Sequence, residues 1–378
     1  TYFECIPIFI ISTMLVHAVA PSGLSKVMLH PLQKDKRKSC SDSENYRAIA
    51  LSSILGKLLD LVILNDNVNI LGTSDLQFGF KPNSSTVQCT FSLLECVNYY
   101  QTKGTDVHLV FLDATKAFDR VEYVKLFKLL IKRGLSAITA RLLLNLYTNQ
   151  NMYVVWNGNR TEPFSCRNGV KQGGVLSPIL FGIYMDELLS RLKKSGLGCY
   201  IGDTYLGALA FADDLVLLTP TVYAMKKLLE VCSSFATEYN VIFNPTKSKI
   251  LSYTESDLKP QIYLNGLLID HVGQFVHLGN LIGPNTDDNC LDKCINKFYS
   301  EVNVLMGQFG HAFPACRYRL FRTYCTSFYG SQLWDLSRKG TEKVFVAWRK
   351  AIRFIWKLPA NTRSEERRVG KECRSRWS

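Results

Sequence analysis

The sequence predicts an α+β fold in which helices cover one face of an antiparallel β-sheet. Between residues 107 and 253 the patterns run strand, helix, helix, hairpin, helix, hairpin, helix, strand. Two stretches predict the sheet itself. Residues 107–112 (VHLVFL) are an apolar run of the length of one buried strand, and residues 204–219 hold two apolar runs joined by a turn at Asp213-Asp214.

The composition is that of a globular protein with two or three subdomains. The chain has 378 residues, of which 47% are hydrophobic and 20% charged, so a disordered chain is excluded. Lys and Arg outnumber Asp and Glu by 45 to 32, a net charge of +13. This excess favours a polyanionic partner such as nucleic acid, although an exposed basic face without a partner has the same composition.

The cysteines predict an intracellular, reducing location, in the nucleus or cytoplasm. The chain has 12 of them, scattered through apolar segments without a Cys-x-x-Cys pair. Cys290, Cys294 and His311 have poor spacing for zinc and no evident fourth ligand, so we expect no zinc site.

The first apolar stretch, residues 6–20 (IPIFIISTMLVHAVA), predicts a buried helix that ends before Pro21. It is shorter than the roughly 20 residues that a membrane span needs and contains Ser12, Thr13 and His17, so no membrane association is expected. Since no initiating Met precedes it, we expect the chain to be a fragment of a longer product.

The remaining elements follow in chain order. Before the central strand, residues 27–32 are a short apolar run, and we expect a charged loop over 33–38, a strand over 45–51 and helices over 54–64 and 84–101. After it we expect helices over 119–132, 137–149, 177–194 and 222–239, with Ser177 as an N-cap and Pro178 in the first turn. Strands are expected over 153–156, 164–167, 241–243, 249–253, 262–264, 267–269 and 275–278, and helices from about 286 to 358.

The adjacent aspartates are the strongest candidates for chemistry. Between two buried strands they would be desolvated and mutually repulsive, which a divalent cation relieves. An acidic hairpin turn exposed to water fits the same residues. If the strand ending at Asp113 pairs with the strands around Asp213, three carboxylates converge at one sheet edge. Such a set of hard oxygen ligands suits two Mg²⁺ ions, for which Mn²⁺ can substitute.

Three segments resemble the central palm motifs of reverse transcriptases: residues 110–121 (VFLDATKAFDRV), 169–180 (GVKQGGVLSPIL) and 211–214 (FADD). The residues of these motifs are similar to those of the non-LTR, LINE-like retrotransposon branch of the family. Four further segments match in the right order, namely residues 45–49 (NYRAI), 77–81 (QFGFK), 244–248 (NPTKS) and 277–280 (HLGN). The resemblance covers about residues 5–362. It implies a right-hand polymerase of fingers, palm and thumb, with an antiparallel palm sheet backed by helices.

The resemblance also implies a domain division. Residues 1–105 would be an N-terminal extension and fingers, and residues 106–284 the palm, with part of the fingers inserted at about 122–168. Residues 285–362 would be a helical thumb. Residues 363–378 change composition abruptly and resemble a translated sequencing adapter, so we expect an adapter-derived or disordered tail; a genuine basic tail is the alternative.

At matching positions the resemblance implies roles for single residues. Asp113 and Asp213 would bind both metal ions, with Asp214 and the backbone of Ala114 beside them. Backbone amides of the turn that follows would hold the incoming triphosphate, with help from the fingers. The nucleotide-binding set would be Lys34, Arg47, Thr115, Lys116, Ala117, Phe118, Gln172, Gly173 and Lys247. The primer and template would contact Lys81, Gly174, His277, Leu278 and Gly279.

Within that set, Phe118 would be a steric gate against a ribose 2′-OH, Gln172 part of the floor under the nascent base pair, and Lys247 a general acid for the leaving pyrophosphate. Three residues of the nucleotide-binding set have a plainer alternative. Phe118 fits a core aromatic residue, Lys247 a surface lysine, and Lys34 a solvated loop. Relatives often carry Pro at Ala48 and Arg at Lys81, and neither departure touches the metal chemistry.

The implied activity is RNA-directed DNA synthesis. An RNA template would be copied from a DNA primer or target end with dNTPs, by two-metal nucleotidyl transfer. The alternatives are a catalytically inactive RNA-binding relic of the same fold and an RNA-dependent RNA polymerase, against which Phe118 argues. The family's endonuclease and Cys/His knuckle are not in the sequence, so we expect a polymerase core from a larger polyprotein.

Overall fold

The computed structural model describes residues 2–256, 259–284, 287–334, 339–359 and 362. The chain divides into two compact units, Thr1–Val272 and Gly273–Ser378, and each is described by itself. The predicted tail at 363–378 lies outside the described residues, and the boundary between palm and thumb stays a prediction.

The first unit contains seven helices and fourteen strands within the described residues. Its helices are α1 (Tyr2–His17), α2 (Ile54–Asp66), α3 (Thr86–Thr102), α4 (Tyr123–Lys132), α5 (Ala137–Thr148), α6 (Ser177–Lys194) and α7 (Val222–Tyr239). Its strands are β1 (Lys26–Gln33), β2 (Tyr46–Leu51), β3 (Val107–Leu112), β4 (Asn151–Trp156), β5 (Asn159–Arg160), β6 (Phe164–Ser165), β7 (Tyr200–Ile201), β8 (Thr204–Tyr205), β9 (Ala208–Phe211), β10 (Asp214–Thr219), β11 (Lys249–Tyr253), β12 (Tyr263–Leu264), β13 (Leu267–Leu268) and β14 (Asp270–His271).

The second unit begins with a hairpin and continues as helices. Its elements are β15 (Phe275–His277), β16 (Asn280–Ile282), α8 (Asp287–Phe309), α9 (Pro314–Tyr324) and α10 (Glu342–Trp356). The three helices enclose an aromatic core in which Phe298 stacks on Trp348, with ring centroids 6.1 Å apart. The continuous helical pattern expected from about residue 286 is therefore interrupted. Pro314 starts a new helix.

The central sheet has the strand order β14-β11-β3-β10-β9. All of its pairs are antiparallel except β11 with β14, so the predicted antiparallel sheet and α+β class are confirmed. Every residue of β3 is buried, because strands flank it on both sides and α3 packs on it. Helices α6 and α7 pack on the neighbouring strands β9 and β10.

A second sheet has the order β2-β1-β4-β5, with β6 also paired to β4. Strand β1 runs antiparallel to β2 and parallel to β4. The β1–β2 connection therefore forms a long hairpin, whose tip is the charged segment predicted as a loop.

The N-terminal helix differs from its prediction as a buried element. Phe9 is 73% exposed and Ile8 65% exposed, whereas Ile11 and Met14 are buried. The apolar residues surround the helix on all sides, and only one side packs, in part against α5, so the rest stays in solvent. No helix among the described residues is long and apolar enough to cross a membrane.

Four further local expectations are wrong. Residues 241–243 form no strand, and only Phe243 makes a bridge, to Ala114. Ser177 lies inside α6, whose N-cap is Leu176. The helix expected from Asp119 starts at Tyr123, after a short 3-10 turn. The run before the aspartates is split into β8 and β9, and β8 pairs with β7, which was not predicted.

Candidate active site

The pairing of β3 with β10 brings Asp113 next to the Asp213-Asp214 turn. The last pair in the register joins Leu112 to Leu215, so Asp113 and Asp214 follow at the next position. Residues directly opposite each other in an antiparallel pair share one face, with Cβ atoms about 4.5–5.5 Å apart. The sequence interpretation required these strands to be neighbours, and the register confirms that they are.

The turn is a two-residue hairpin held by a buried glutamine. Phe211 pairs with Asp214, which leaves Ala212 and Asp213 at the turn. Ala212 is left-handed (φ 59°), at a cost of about 1–2 kcal/mol for a residue with a Cβ. Gln77, only 1% exposed, accepts the Ala212 N–H at 2.9 Å and donates to the Ala212 carbonyl at 3.3 Å. Gln77 thus fixes the backbone that carries the aspartates.

Gly79 completes this clamp. Its N–H donates to Gln77 Oε1 at 2.9 Å, and a Cβ at Gly79 would collide with the Ala212 backbone nitrogen. Only glycine permits this approach. The motif at residues 77–81 was recognised from the sequence, but no role was given to Gln77 or Gly79. The Gln-x-Gly spacing was the available signal, and the partner 135 residues away was not visible.

Burial and mutual repulsion raise the pKa of both adjacent aspartates. The pKa of Asp213 is raised by burial and further by Asp113, while Arg47 opposes the shift. The pKa of Asp214 is raised to about 6, by burial first and then by Asp213 and Asp113, although part of its side chain reaches solvent. A bound cation would remove this repulsion, so the carboxylate donor set fits a hard divalent ion.

The side chains do not by themselves form a cation cage. Among the residues that the structure describes, no group of three or more His, Cys, Asp or Glu side chains is placed to hold a metal ion. The Asp113 carboxylate lies 3.8 Å from the Lys247 ammonium. Mg²⁺ typically takes one or two protein carboxylates and completes its shell with water and substrate phosphates. The donor set therefore suits an ion that shares its ligands with a bound nucleotide.

Part of the turn after β3 already forms hydrogen bonds within the protein. The Thr115 N–H donates to the Ile242 carbonyl at 2.8 Å, so a phosphate would have to displace that bond. Ala114 is buried and bridges to Phe243. Lys116 is left-handed (φ 49°) and reverses the chain just before Ala117 and Phe118 enter the 3-10 turn. Of the predicted amide donors, Thr115 is therefore the one already in use.

Phe118 packs against other aromatic rings. It stacks on the buried Phe181, with centroids 4.4 Å apart and planes 18° from parallel, and Phe80 meets it edge-on at 6.4 Å. Phe118 itself is only half-buried, so one face supports the core and another is open. Phe80, 53% exposed, was not predicted as a site residue. The packing fixes the orientation of the Phe118 ring.

The loop that carries Gln172 is tied to β2. The Gln172 carbonyl accepts the Ala50 N–H at 2.7 Å, and its side-chain amide donates to Asp119 at 3.4 Å. Gly173 has φ 109°, and a Cβ there would press on the Ala50 carbonyl at 3.0 Å. The Gly174 N–H closes the loop onto the Lys171 carbonyl at 3.1 Å. Glycine is thus needed at Gly173 for the path of the chain, whereas a Cβ at Gly174 would meet the Ser177 hydroxyl at 2.6 Å.

Asp60 on α2 anchors the end of the same loop. The backbone N–H groups of Leu176 and Val175 and the ammonium group of Lys171 all favour its ionised form. Burial raises the pKa of Asp60 to about 6, whereas burial lowers the pKa of Lys171. A carboxyl group that titrates near neutral pH therefore supports the Gln172 loop.

We expect Asp60→Asn to flatten the pH dependence of stability. The pKa of Asp60 is higher in the folded chain than its ordinary value of 3.8, so the folded chain holds the proton more tightly. Its contribution is complete below pH 3.8 and is lost as pH rises through about 6. The wild-type free energy of unfolding should fall by about 2 kcal/mol more than that of the variant between pH 4 and pH 7. Guanidinium titrations at several pH values measure this, and parallel curves for both proteins would contradict it.

The predicted basic residues lie around the aspartates in two groups. Arg47 acts electrostatically on Asp213, and Lys247 lies beside Asp113. Lys34 and Lys116 instead contact one residue that was not predicted. The Lys34 ammonium donates to the Glu44 carbonyl at 2.8 Å, and the Lys116 ammonium lies 2.7 Å from the Glu44 carboxylate.

The residues predicted to contact primer and template are held by protein contacts. The Lys81 ammonium lies 3.0 Å from Asp75, a bond that a phosphate would have to replace. His277, Leu278 and Gly279 belong to the second unit, where they form the turn of the β15–β16 hairpin. His277 is buried, which lowers its pKa to about 4 and keeps it neutral at pH 7. The Leu278 carbonyl accepts the Tyr329 hydroxyl at 2.6 Å.

Comparison with known proteins identifies the family of this chain. A profile described as reverse transcriptase (RNA-dependent DNA polymerase) matches residues 33–280. The chain is 27% identical over 273 residues to the Retrovirus-related Pol polyprotein from type-1 retrotransposable element R2 of Popillia japonica, covering 72% of this chain and 37% of that protein. It is 26% identical over 255 residues to the RNA-directed DNA polymerase from mobile element jockey of Drosophila funebris, covering 64% and 27%. The chain thus spans roughly a third of the length of these relatives.

A solved structure of telomerase from Candida tropicalis with a TWJ fragment of telomeric RNA is also similar, with a TM-score of 0.48 and 13% identity, over 75% of this chain and 50% of that one. The sequence relatives are polymerases of non-LTR retrotransposons, which confirms the branch predicted from the motifs. Since the family profile matches well over half of the chain, the chain belongs to the reverse transcriptase family.

Proposed function

We propose that this chain is an RNA-directed DNA polymerase of a non-LTR retrotransposon, which extends a primer 3′-OH on an RNA template with dNTPs. The observation that supports this most is the β3–β10 pairing, which places Asp113 beside Asp213-Asp214 at one sheet edge. The net charge of +13 suits a nucleic-acid partner. Buried cysteines such as Cys89, Cys199 and Cys232 are free thiols, in keeping with the nuclear or cytoplasmic location that we propose.

Reverse transcriptases depend on divalent metal ions, and we propose two Mg²⁺ ions here, for which Mn²⁺ can substitute. Asp113 and Asp213 would hold them, with Asp214 and the Ala114 carbonyl beside them. Bound ions of this kind stabilise the attacking and leaving oxygens of an in-line phosphoryl transfer. The raised pKa of Asp213 and Asp214 supports the assignment, because their repulsion is what a cation would offset.

The surrounding side chains would position the nucleotide. The primer 3′-OH would lose its proton to solvent as its oxygen attacks the α-phosphorus, the bond from that phosphorus to the α–β bridging oxygen would break, and pyrophosphate would leave. Lys34, Arg47 and Lys116 would bind the triphosphate as it gains charge. Lys247 would donate a proton to the leaving pyrophosphate, since its ammonium lies 3.8 Å from Asp113. Gln172 would lie under the nascent base pair.

Primer extension by the purified chain tests this proposal. We expect wild-type protein to extend a DNA primer on an RNA template in the presence of Mg²⁺ and dNTPs, and Asp213→Ala to lose this activity. Equal extension by both proteins would refute the assignment. Nucleic-acid binding by the wild type without any extension would instead favour the inactive relic.

Phe118→Val should admit ribonucleotides. The aromatic ring is held between Phe181 and Phe80 and would meet a 2′-OH, whereas Val leaves space for it. We expect the wild-type preference for dNTP over rNTP to fall by about 10- to 100-fold in kcat/KM. Single-nucleotide incorporation assays measure this ratio, with Phe91→Val, at an exposed phenylalanine on α3, as the control. If the preference for dNTP over rNTP is unchanged in Phe118→Val, Phe118 is not a steric gate. Efficient use of rNTP by the wild type would instead favour an RNA polymerase.

A further inference from the structure

The tip of the β1–β2 hairpin presents a carboxylate that the proposed chemistry does not use. Glu44 sits in a 3-10 turn, Ser43–Asn45, directly before β2. Asp42 accepts the Glu44 N–H at 2.9 Å. The buried Asn45 side chain accepts the Asp35 N–H at 3.0 Å and donates to the Asp35 carbonyl at 2.9 Å. The position of Glu44 is therefore fixed by hydrogen bonds within the hairpin.

Glu44 is surrounded by the lysines assigned to the triphosphate. Its carboxylate lies 2.7 Å from the Lys116 ammonium, and its carbonyl accepts Lys34 at 2.8 Å. The pKa of Glu44 is lowered chiefly by Lys116, and Lys34 and Lys247 act in the same direction. One internal anion thus neutralises cations that an incoming triphosphate would need.

The ion pair between Lys116 and Glu44 is weak enough for a ligand to displace it. The side chains of Lys116 and Glu44 are 51% and 65% exposed, and an exposed ion pair of this kind is weak. A triphosphate carries several negative charges and therefore attracts the Lys116 ammonium more strongly than the single charge of Glu44 does. The two anions would also repel each other at Lys116, so they compete for it.

We propose that Glu44 is a displaceable placeholder for the nucleotide triphosphate, and that competition of its carboxylate for Lys116, next to Lys34, sets the affinity for the incoming nucleotide. This rests on the proposed function, because it takes those lysines as the triphosphate site. The pair also links the hairpin tip to the turn after β3, so nucleotide entry would release the tip from that turn. Glu44 acts through Lys116 and is a positioning residue.

Glu44→Gln tests the proposal, since it removes the charge and keeps the shape. We expect the KM for dNTP in primer extension to fall by about 2- to 5-fold, the factor that one exposed ion pair supports. Binding of inorganic tripolyphosphate, measured by calorimetry, should tighten by the same factor. Glu230→Gln is the matched control, because Glu230 forms a similar exposed pair with Lys227 at 2.8 Å on α7. Both measurements should be unchanged in that variant.

An unchanged KM for dNTP in Glu44→Gln would overturn the proposal. A raised KM would overturn it too, because Glu44 would then hold Lys116 in position for the nucleotide and would not compete for it. If wild-type protein fails to extend any primer, the proposed function fails, and tripolyphosphate binding still decides the role of Glu44. Tighter binding in Glu44→Gln supports the placeholder. Equal or absent binding in both proteins refutes it.

Discussion

Asp113→Asn is expected to reduce primer extension by about 10³-fold or more while the fold is kept. The amide has the shape of the carboxylate but lacks its charge, so a divalent ion held by Asp113, as we propose, would lose a ligand and several kcal/mol of charge stabilisation. The kcat of the variant with Mg²⁺ should be strongly reduced, and a higher dNTP concentration should restore little of the extension rate. Single-turnover extension on an RNA template measures the effect.

Asp203→Asn is the control for Asp113→Asn, since Asp203 is an exposed aspartate in the β7–β8 turn of the same unit. Its activity should stay at the wild-type level. A double variant, Asp113→Asn with Asp213→Ala, should be little worse than the more damaged single variant, because both residues would serve one site. Additive losses, or an Asp113→Asn protein within a few-fold of wild type, would show that the two strands do not share a site.

Gln77→Met should lower kcat by about 10²-fold without direct contact with the nucleotide. Met fills a similar volume but cannot form hydrogen bonds with Ala212 or Gly79. Three buried hydrogen bonds between the Gln77 side chain and the backbone are therefore lost. The left-handed Ala212 is then free to relax, and a shift of about 1 Å in a catalytic group can cost 10²-fold in rate. The free energy of unfolding should fall by about 1–3 kcal/mol. Steady-state extension and guanidinium unfolding measure the two effects.

Gln261→Met, at an exposed glutamine beside β12, is the control for Gln77→Met and should change neither quantity. The informative outcome is the separation of the two effects. A Gln77→Met protein that loses stability but keeps the wild-type kcat would show that Gln77 supports the fold and does not position the aspartates.

Several elements follow from the sequence because local patterns specify them completely. The apolar run at β3, the amphipathic α7 and the strand β11 have the predicted bounds. A fully buried strand is a continuous apolar run, and a helix buried on one face has apolar residues at helical spacing, so both are visible in the sequence. The ordered motifs likewise predicted the family, because each motif is a short run of residues. The pairing of β3 with β10 joins residues about 100 positions apart, and the sequence left it as a condition.

What could not be predicted depends on partners distant in sequence. Gln77 is 135 residues from Ala212, and Glu44 is 72 residues from Lys116, so neither contact leaves a local signal. The N-terminal helix failed for a related reason. Its residues are apolar on every side, and hydrophobicity alone does not say how much neighbouring surface is available to cover Phe9.

Iron-directed cleavage tests most directly whether Asp113 and Asp213-Asp214 share one cation site. Fe²⁺ bound in place of Mg²⁺, with ascorbate and peroxide, produces hydroxyl radicals that cut the backbone nearest the ion. We expect cuts near residues 113 and 213 in the wild type, both suppressed by excess Mg²⁺ and both lost in Asp113→Asn. Cleavage near only one of these positions, or cuts near 213 that persist in Asp113→Asn, would contradict a shared metal site at the β3–β10 edge.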